Sequence, residues 1–243
     1  MRTTSLLAAG LGLFVVSACT KAADGAVAAS PALPVAVIAP DAPVPAAAPD
    51  AAIFAFDQSS STIGYTGKKV TGSHAGVFGT FSGDVRVGKD AASSAVRLTI
   101  EMGSVTSDND RLTGHLKSAD FFDVATFPQA TFASTAVVPG GEGGATHTVR
   151  GNLTLHGVTK NVSFPATLQT SPERVTLKAS FSLDRKAFQI NYPGKANDLI
   201  SDLVDLSFDI TAKPAAAPPP VLTGEPSAPP APPSPPAPAA GAH

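Results

Sequence analysis

Between residues 51 and 213 apolar and polar side chains alternate with a period of two, and Gly, Asp, Asn and Ser break the alternation into short runs. That pattern predicts half-buried antiparallel strands, each with one face on a core and one in water. Over residues 77–87, Val77, Phe81, Val85 and Val87 share one face, against Thr80, Ser82, Asp84 and Arg86 on the other. Val96, Leu98, Ile100 and Met102 alternate with Arg97, Thr99 and Glu101, and Val175, Leu177, Ala179, Phe181 and Leu183 with Thr176, Lys178, Ser180 and Ser182. The same period recurs over residues 149–155, 162–168 and 204–210, and more weakly over 63–65 and 132–138. Eight such strands joined by short turns predict an all-β domain, either a sandwich or a closed up-and-down barrel.

One stretch departs from the alternation. Ser107 can cap a helix, acidic residues follow it in the first turn, and Leu112 and Leu116 stand four apart, so a short helix is predicted across one end of the sheet structure. Phe121, Phe122 and Phe127 follow closely. Three rings so near one another need a large apolar surface, and they either plug the core or rim a cavity.

Composition sets the boundaries. Of the 23 prolines, six fall in residues 31–49, twelve in 214–238 and five between, which leaves one folded domain over residues 51–213. A domain of that size buries about two thirds of its unfolded surface without staples. Residues 1–18 carry one Arg, a short apolar run and small residues before Cys19, the pattern of a secretory signal too short to remain as a membrane span. Cys19 is the only cysteine, so no disulfide within the chain is available. Residues 20–50 then read as an Ala/Pro-rich spacer that reaches on the order of 95 Å when extended. Residues 214–243 read as a disordered Pro/Ala-rich tail, either passive or a ligand for a protein or wall partner. With a net charge of -2 and scattered basic residues, the domain lacks the electrostatic footprint of a nucleic-acid binder.

Catalytic signals are weak. His74, His115, His147, His156 and His243 have no metal-ligand spacing, and neither a nucleophile elbow nor a phosphate-cradling loop occurs. His115, with Asp120 nearby, either orients a polar headgroup or bonds a turn, and His156 sits at a predicted hairpin. Lys68-Lys69 and Arg185-Lys186 read as solvated surface. No enzyme activity, cofactor or metal site is expected.

Three stretches carry a family resemblance: residues 78–83 (FGTFSG), residues 112–132 (LTGHLKSADFFDVATFPQATF) and residues 151–160 (GNLTLHGVTK). In order and spacing they resemble the YceI-like proteins, and the likeness extends over residues 54–212. Asp57 followed by Gln58 departs from the histidine that members often carry there, and residues 192–200 resemble the variant of one branch. Cys19 behind Val-Ser-Ala resembles the bacterial lipobox, which implies an acylated cysteine and a membrane tether, and Thr20 resembles the outer-membrane sorting pattern of enteric bacteria. The resemblance implies an eight-stranded, lipocalin-like antiparallel barrel in the periplasm that holds an isoprenoid quinone or polyprenyl lipid. The small residues Gly79, Gly83, Gly151 and Ala179 are expected to leave that lipid its room. Val77, Phe81, Val85, Leu98, Ile100, Met102, Leu153, Leu155, Phe164, Phe181, Leu206 and Phe208 are the expected inner wall. Leu112, Leu116, Phe121, Phe122, Phe127 and Phe132 join them as the expected lipid-binding set. A filled barrel acting through its Pro-rich tail is the alternative, and a homodimer is left open.

Overall fold

In the computed structural model of the chain, residues 33–46 and 48–215 are described. The leader, Cys19 and the tail beyond residue 215 lie outside them. Every predicted strand is present. The wall begins with β1 (Val37–Ala39), an addition to the eight discussed below. β2 (Ala52–Asp57) and β3 (Thr62–Lys69) are two segments of one wall strand, as are β4 (Gly72–Phe78) with β5 (Phe81–Val87), and β6 (Ala95–Glu101) with β7 (Val105–Ser107). After the helix α1 (Asp110–Lys117) come β8 (Gln129–Pro139), β9 (His147–Leu155), β10 (Val158–Thr170) and β11 (Val175–Asp184). A two-residue hairpin arm, β12 (Gly194–Lys195), then precedes β13 (Asp198–Pro214).

Each wall strand pairs antiparallel with its sequence neighbours. β2 lies on β5, β5 on β6, β6 on β8, and β8 through β11 follow in order. β13 closes the ring, pairing with β11 on one side and with β3 and β2 on the other. The result is a closed eight-strand antiparallel barrel with one short helix, in which closure removes the free edges that an open sheet would expose. Inward positions of every strand form one apolar core.

Two breaks shift the alternation. β4 ends at Phe78 and β5 begins at Phe81, so two residues, not one, separate successive inward rings. Val77 is therefore turned outward and 41% exposed, while Phe78 takes the inward place at 8%. The expectation for Val77 carried the period straight through a kink. The helix cap is also corrected. Ser107 stays extended because β7 keeps its pairing with β4 as far as Gly76. Asn109 is the N-cap instead, its Oδ1 accepting the Leu112 amide at 3.0 Å.

The spacer reading fails over residues 33–46. Val37, Ile38 and Ala39 pair antiparallel with Ser163, Val162 and Asn161 of β10. Further on, Asn152 clamps the backbone of Ala42, accepting its amide at 3.0 Å and donating to its carbonyl at 2.6 Å. This stretch therefore belongs to the barrel, although its Pro/Ala composition resembles a linker.

Candidate binding cavity

The turns β5–β6, β8–β9 and β10–β11 gather at one end of the barrel; α1 and the turns β3–β4, β9–β10 and β11–β13 gather at the other. At the first end Val175 and Ala212 are fully buried and Phe54 is 5% exposed, so it is plugged. Along the axis runs a cavity with about 190 Å³ of space that the centre of a water molecule could occupy. That is more than ten times the ~10–15 Å³ one water requires. On β11 its lining extends from Leu177 to Leu183, about 20 Å at a strand's ~3.3 Å rise. Toward the helix end, the lining residues Gly67, Phe122, Ile200 and Val204 remain partly exposed, which puts the mouth there. The filled barrel is not what the structure shows.

Fourteen of the eighteen residues of the expected lipid-binding set line this space. Val85, Leu98, Ile100, Met102 and Phe132 contribute one side, Leu153, Leu155, Phe164, Phe181, Leu206 and Phe208 the other, and Leu116, Phe121 and Phe122 the mouth. Phe164 and Phe181 stack at 4.3 Å with 13° between their planes, and Phe208 lies parallel to Phe181 at 5.8 Å. Phe81 is buried but in the packed core, and Leu112 packs against that core without reaching the cavity. Phe127 leaves the set: its ring meets His156 at 4.8 Å and covers Gly157. It packs on the β9–β10 hairpin because Asp123, with φ 43°, turns the chain and its carbonyl accepts the Phe127 amide at 2.8 Å.

The source of the room is also corrected. A β-carbon on Gly83 would collide with the Phe56 ring and the Arg97 carbonyl, and one on Gly151 with the Phe132 ring. On Gly76 it would meet Tyr65. These glycines seat aromatic rings from adjacent strands, so they leave the ligand no space. Gly79 sits at the kink against Ser104, and Ala179 is core. Gly67 does line the cavity, and a β-carbon there would have nothing within 4 Å.

Other lining residues were outside the expected lipid-binding set. Val96 and Leu177 lie on apolar faces already read from the alternation, as do Ile63, Tyr65, Val149, Val162 and Val204, while Phe56 stands on a strand segment the alternation did not mark. Arg185 had no such signal. It is 5% exposed at the mouth, not solvated surface. Its Nε donates to the Ser201 carbonyl at 3.0 Å and its Nη1 to that of Ile190 at 2.6 Å, with Asp202 at 3.6 Å. The guanidinium is thus turned from the cavity and knits β13 to the segment after β11.

Polar chemistry surrounds the mouth and does not enter it. His115 Nε2 lies 2.9 Å from Asp120 Oδ2, and its ring meets Phe121 at 5.0 Å and Tyr192 at 4.8 Å edge-on. His156 Nδ1 donates to the Phe188 carbonyl at 3.2 Å, a bond across two turns. Tyr65 donates its hydroxyl to the Thr106 carbonyl at 2.9 Å, and burial raises its pKa. Lys68 pairs with Asp205, Lys69 with Asp198 and Lys186 with Asp202. Hydrogen bonds from Lys69 and Thr71 lower the Asp198 pKa. Burial works against the Asp205 carboxylate, but bonds from Lys68 and Ser182 outweigh it and hold that pKa low as well. Among the described residues no three His, Cys, Asp or Glu side chains converge as a metal site, and no buried side-chain polar atom lacks a partner. The cavity can therefore hold a long hydrocarbon and offers no polar hook within it.

Comparison with known proteins agrees with this architecture. A UPF0312 protein of Pseudomonas putida (strain W619) is 36% identical over 122 residues, 48% of this chain and 62% of the relative. Protein YceI of Salmonella arizonae is 43% identical over 90 residues, 37% of this chain. The chain thus spans 62% and 44% of these relatives' own lengths. Among solved structures, BcnA of Burkholderia cenocepacia superposes with a TM-score of 0.59 at 26% identity, covering 65% of this chain and 99% of BcnA. A polyisoprenoid binding domain from Saccharophagus degradans has the same fold, with a TM-score of 0.54 at 18% identity over 68% of this chain and 100% of that domain. The YceI-like domain model itself matches residues 54–212, from the first ring-closing strand to the last. By that span, and by the barrel that fills it, the chain belongs to the YceI-like family.

Proposed function

We propose that the barrel binds the hydrocarbon tail of an isoprenoid lipid, a quinone or a polyprenyl lipid, and sequesters or carries it outside the cytoplasm. The observation that carries this reading is the apolar cavity running from the plugged end to the mouth. The polyisoprenoid binding named for the Saccharophagus degradans neighbour supplies the ligand class. Burying about 400 Å² of tail contributes about 10 kcal/mol gross relative to water, less the cost of ordering it. A tail already in a bilayer is out of water, so exchange between membrane and barrel is close to balanced. That suits a carrier or buffer better than an enzyme. Cys19, acylated, tethers the protein to the envelope, on the periplasmic face of the outer membrane, since two or three acyl chains suffice for stable anchoring.

The full-length chain, isolated from envelopes and extracted with organic solvent, is expected to release a stoichiometric prenyl lipid identifiable by mass spectrometry. Phe181→Glu, which places a charge between stacked rings, is expected to release none while circular dichroism still reports the barrel. An empty wild-type extract that also fails to take up added quinone overturns the reading. Labelled palmitate incorporation, lost in Cys19→Ala, tests the anchor.

A further inference from the structure

β10 and β11 are joined by their own ladder only near their shared turn, from Thr167–Lys178 to Thr170–Val175. Toward the mouth they separate. At the far end of the gap the strands are pinned again, by the His156 bond to the Phe188 carbonyl. Between these two closures lies a window in the wall, and residues 34–39 fill it. On one side Val37, Ile38 and Ala39 pair with β10. On the other, the Ala36 amide donates to the Ser182 carbonyl at 2.8 Å and the Ser182 amide to the Pro34 carbonyl at 2.9 Å. The inserted segment obeys the period of a wall strand: Ala36 is 5% exposed and Ile38 packs on the core, while Val35 and Val37 are 53% and 67% exposed. Immediately within are Phe164 and Phe181, which stack across the gap and line the cavity.

We infer that residues 34–39 are a removable stave of the barrel, and that the window they fill is the lateral port through which the lipid chain enters and leaves. This rests on the lipid-binding reading above. The stave is held more weakly than its neighbours. It is three paired residues on β10 and a single bridge on β11, with the Asn152 clamp on Ala42 anchoring the chain just beyond it, against ten paired residues between β11 and β13. Its own inward side chains, Ala36 and Ile38, are small or only half-buried, and the rings its withdrawal uncovers, Phe164 and Phe181, are those that line the cavity. Withdrawal extends the mouth down the wall, and a flexible chain then passes sideways instead of threading 20 Å lengthwise past Phe121 and Phe122.

The test is a reversible lock. Val37 and Ser163 are directly opposed across an antiparallel pair, where α-carbons lie about 4.5–5.5 Å apart, within disulfide range. In the full-length chain with Cys19→Ser, the double change Val37→Cys and Ser163→Cys is expected to bind menaquinone-4 equally well reduced and oxidised. Exchange of that menaquinone-4 with phosphatidylcholine vesicles is expected to slow at least tenfold on oxidation and recover on reduction. Ile38→Asp, which loosens the stave without a thiol, is expected to speed exchange. Equal exchange rates in the locked and reduced forms overturn the port while leaving lipid binding intact. Absence of menaquinone-4 from every form overturns lipid binding itself and the port with it.

Discussion

Ring and glycine come as pairs in this barrel, and the pairing decides how single substitutions act. Phe56 lies directly opposite Gly83, and Tyr65 opposite Gly76. Phe132 covers Gly151 from the neighbouring strand. Gly83 and Gly151 were legible as inward positions from their parity with Phe81 and Val149, and Gly76 was not, since the period that put Val77 inward turned it outward; what occupies their space left no mark in the local sequence, because the ring comes from across the strand pair. Gly83→Ala and Gly151→Ala are expected to destabilise by about 1–3 kcal/mol in urea titration, the usual cost of overpacking. In each case a carbonyl oxygen as well as a ring stands in the way. Gly67→Ala, with open space ahead of it, is expected to leave stability unchanged or raised, since alanine reduces the entropy of the unfolded chain.

At the scale of elements, the eight wall strands were legible because each has one face on a common core, which is the condition that produces strict alternation. What alternation could not reveal was where a strand bends. The kink after Phe78 exchanged Val77 for Phe78, and the pairing of β7 moved the helix cap from Ser107 to Asn109. The β3–β4 and β12–β13 turns are tied by Asp198, which accepts from Lys69 Nζ at 2.8 Å and from Thr71; Asp205 accepts from Lys68 and Ser182 at 2.6 Å each. Both carboxyls have lowered folded-state pKa values. Their contribution is therefore present above the unfolded value near ~3.9 and is lost as pH falls through the folded value. In acid titrations followed by circular dichroism, Asp198→Asn and Asp205→Asn are each expected to flatten the fall in stability below about pH 4–5. A slope identical to wild type would show the ties to be energetically idle.

For the whole molecule, proline content was the misleading guide. It put the domain's start at residue 51, yet the wall is complete only from Leu33 onward, because Val35–Ile38 alternate like any other strand inside a Pro/Ala-rich composition. A fragment beginning at residue 51 would leave the amides and carbonyls of β10 near Ser163 and of β11 at Ser182 without their strand partners. Such unpaired edges template pairing with other chains. That fragment is expected to form oligomers in sedimentation velocity where the longer chain carrying Cys19→Ser stays monodisperse. A slot that accepts a strand from its own chain also accepts one in trans, in the manner of donor-strand complementation. A synthetic peptide of residues 33–42 is expected to return the fragment to monomer.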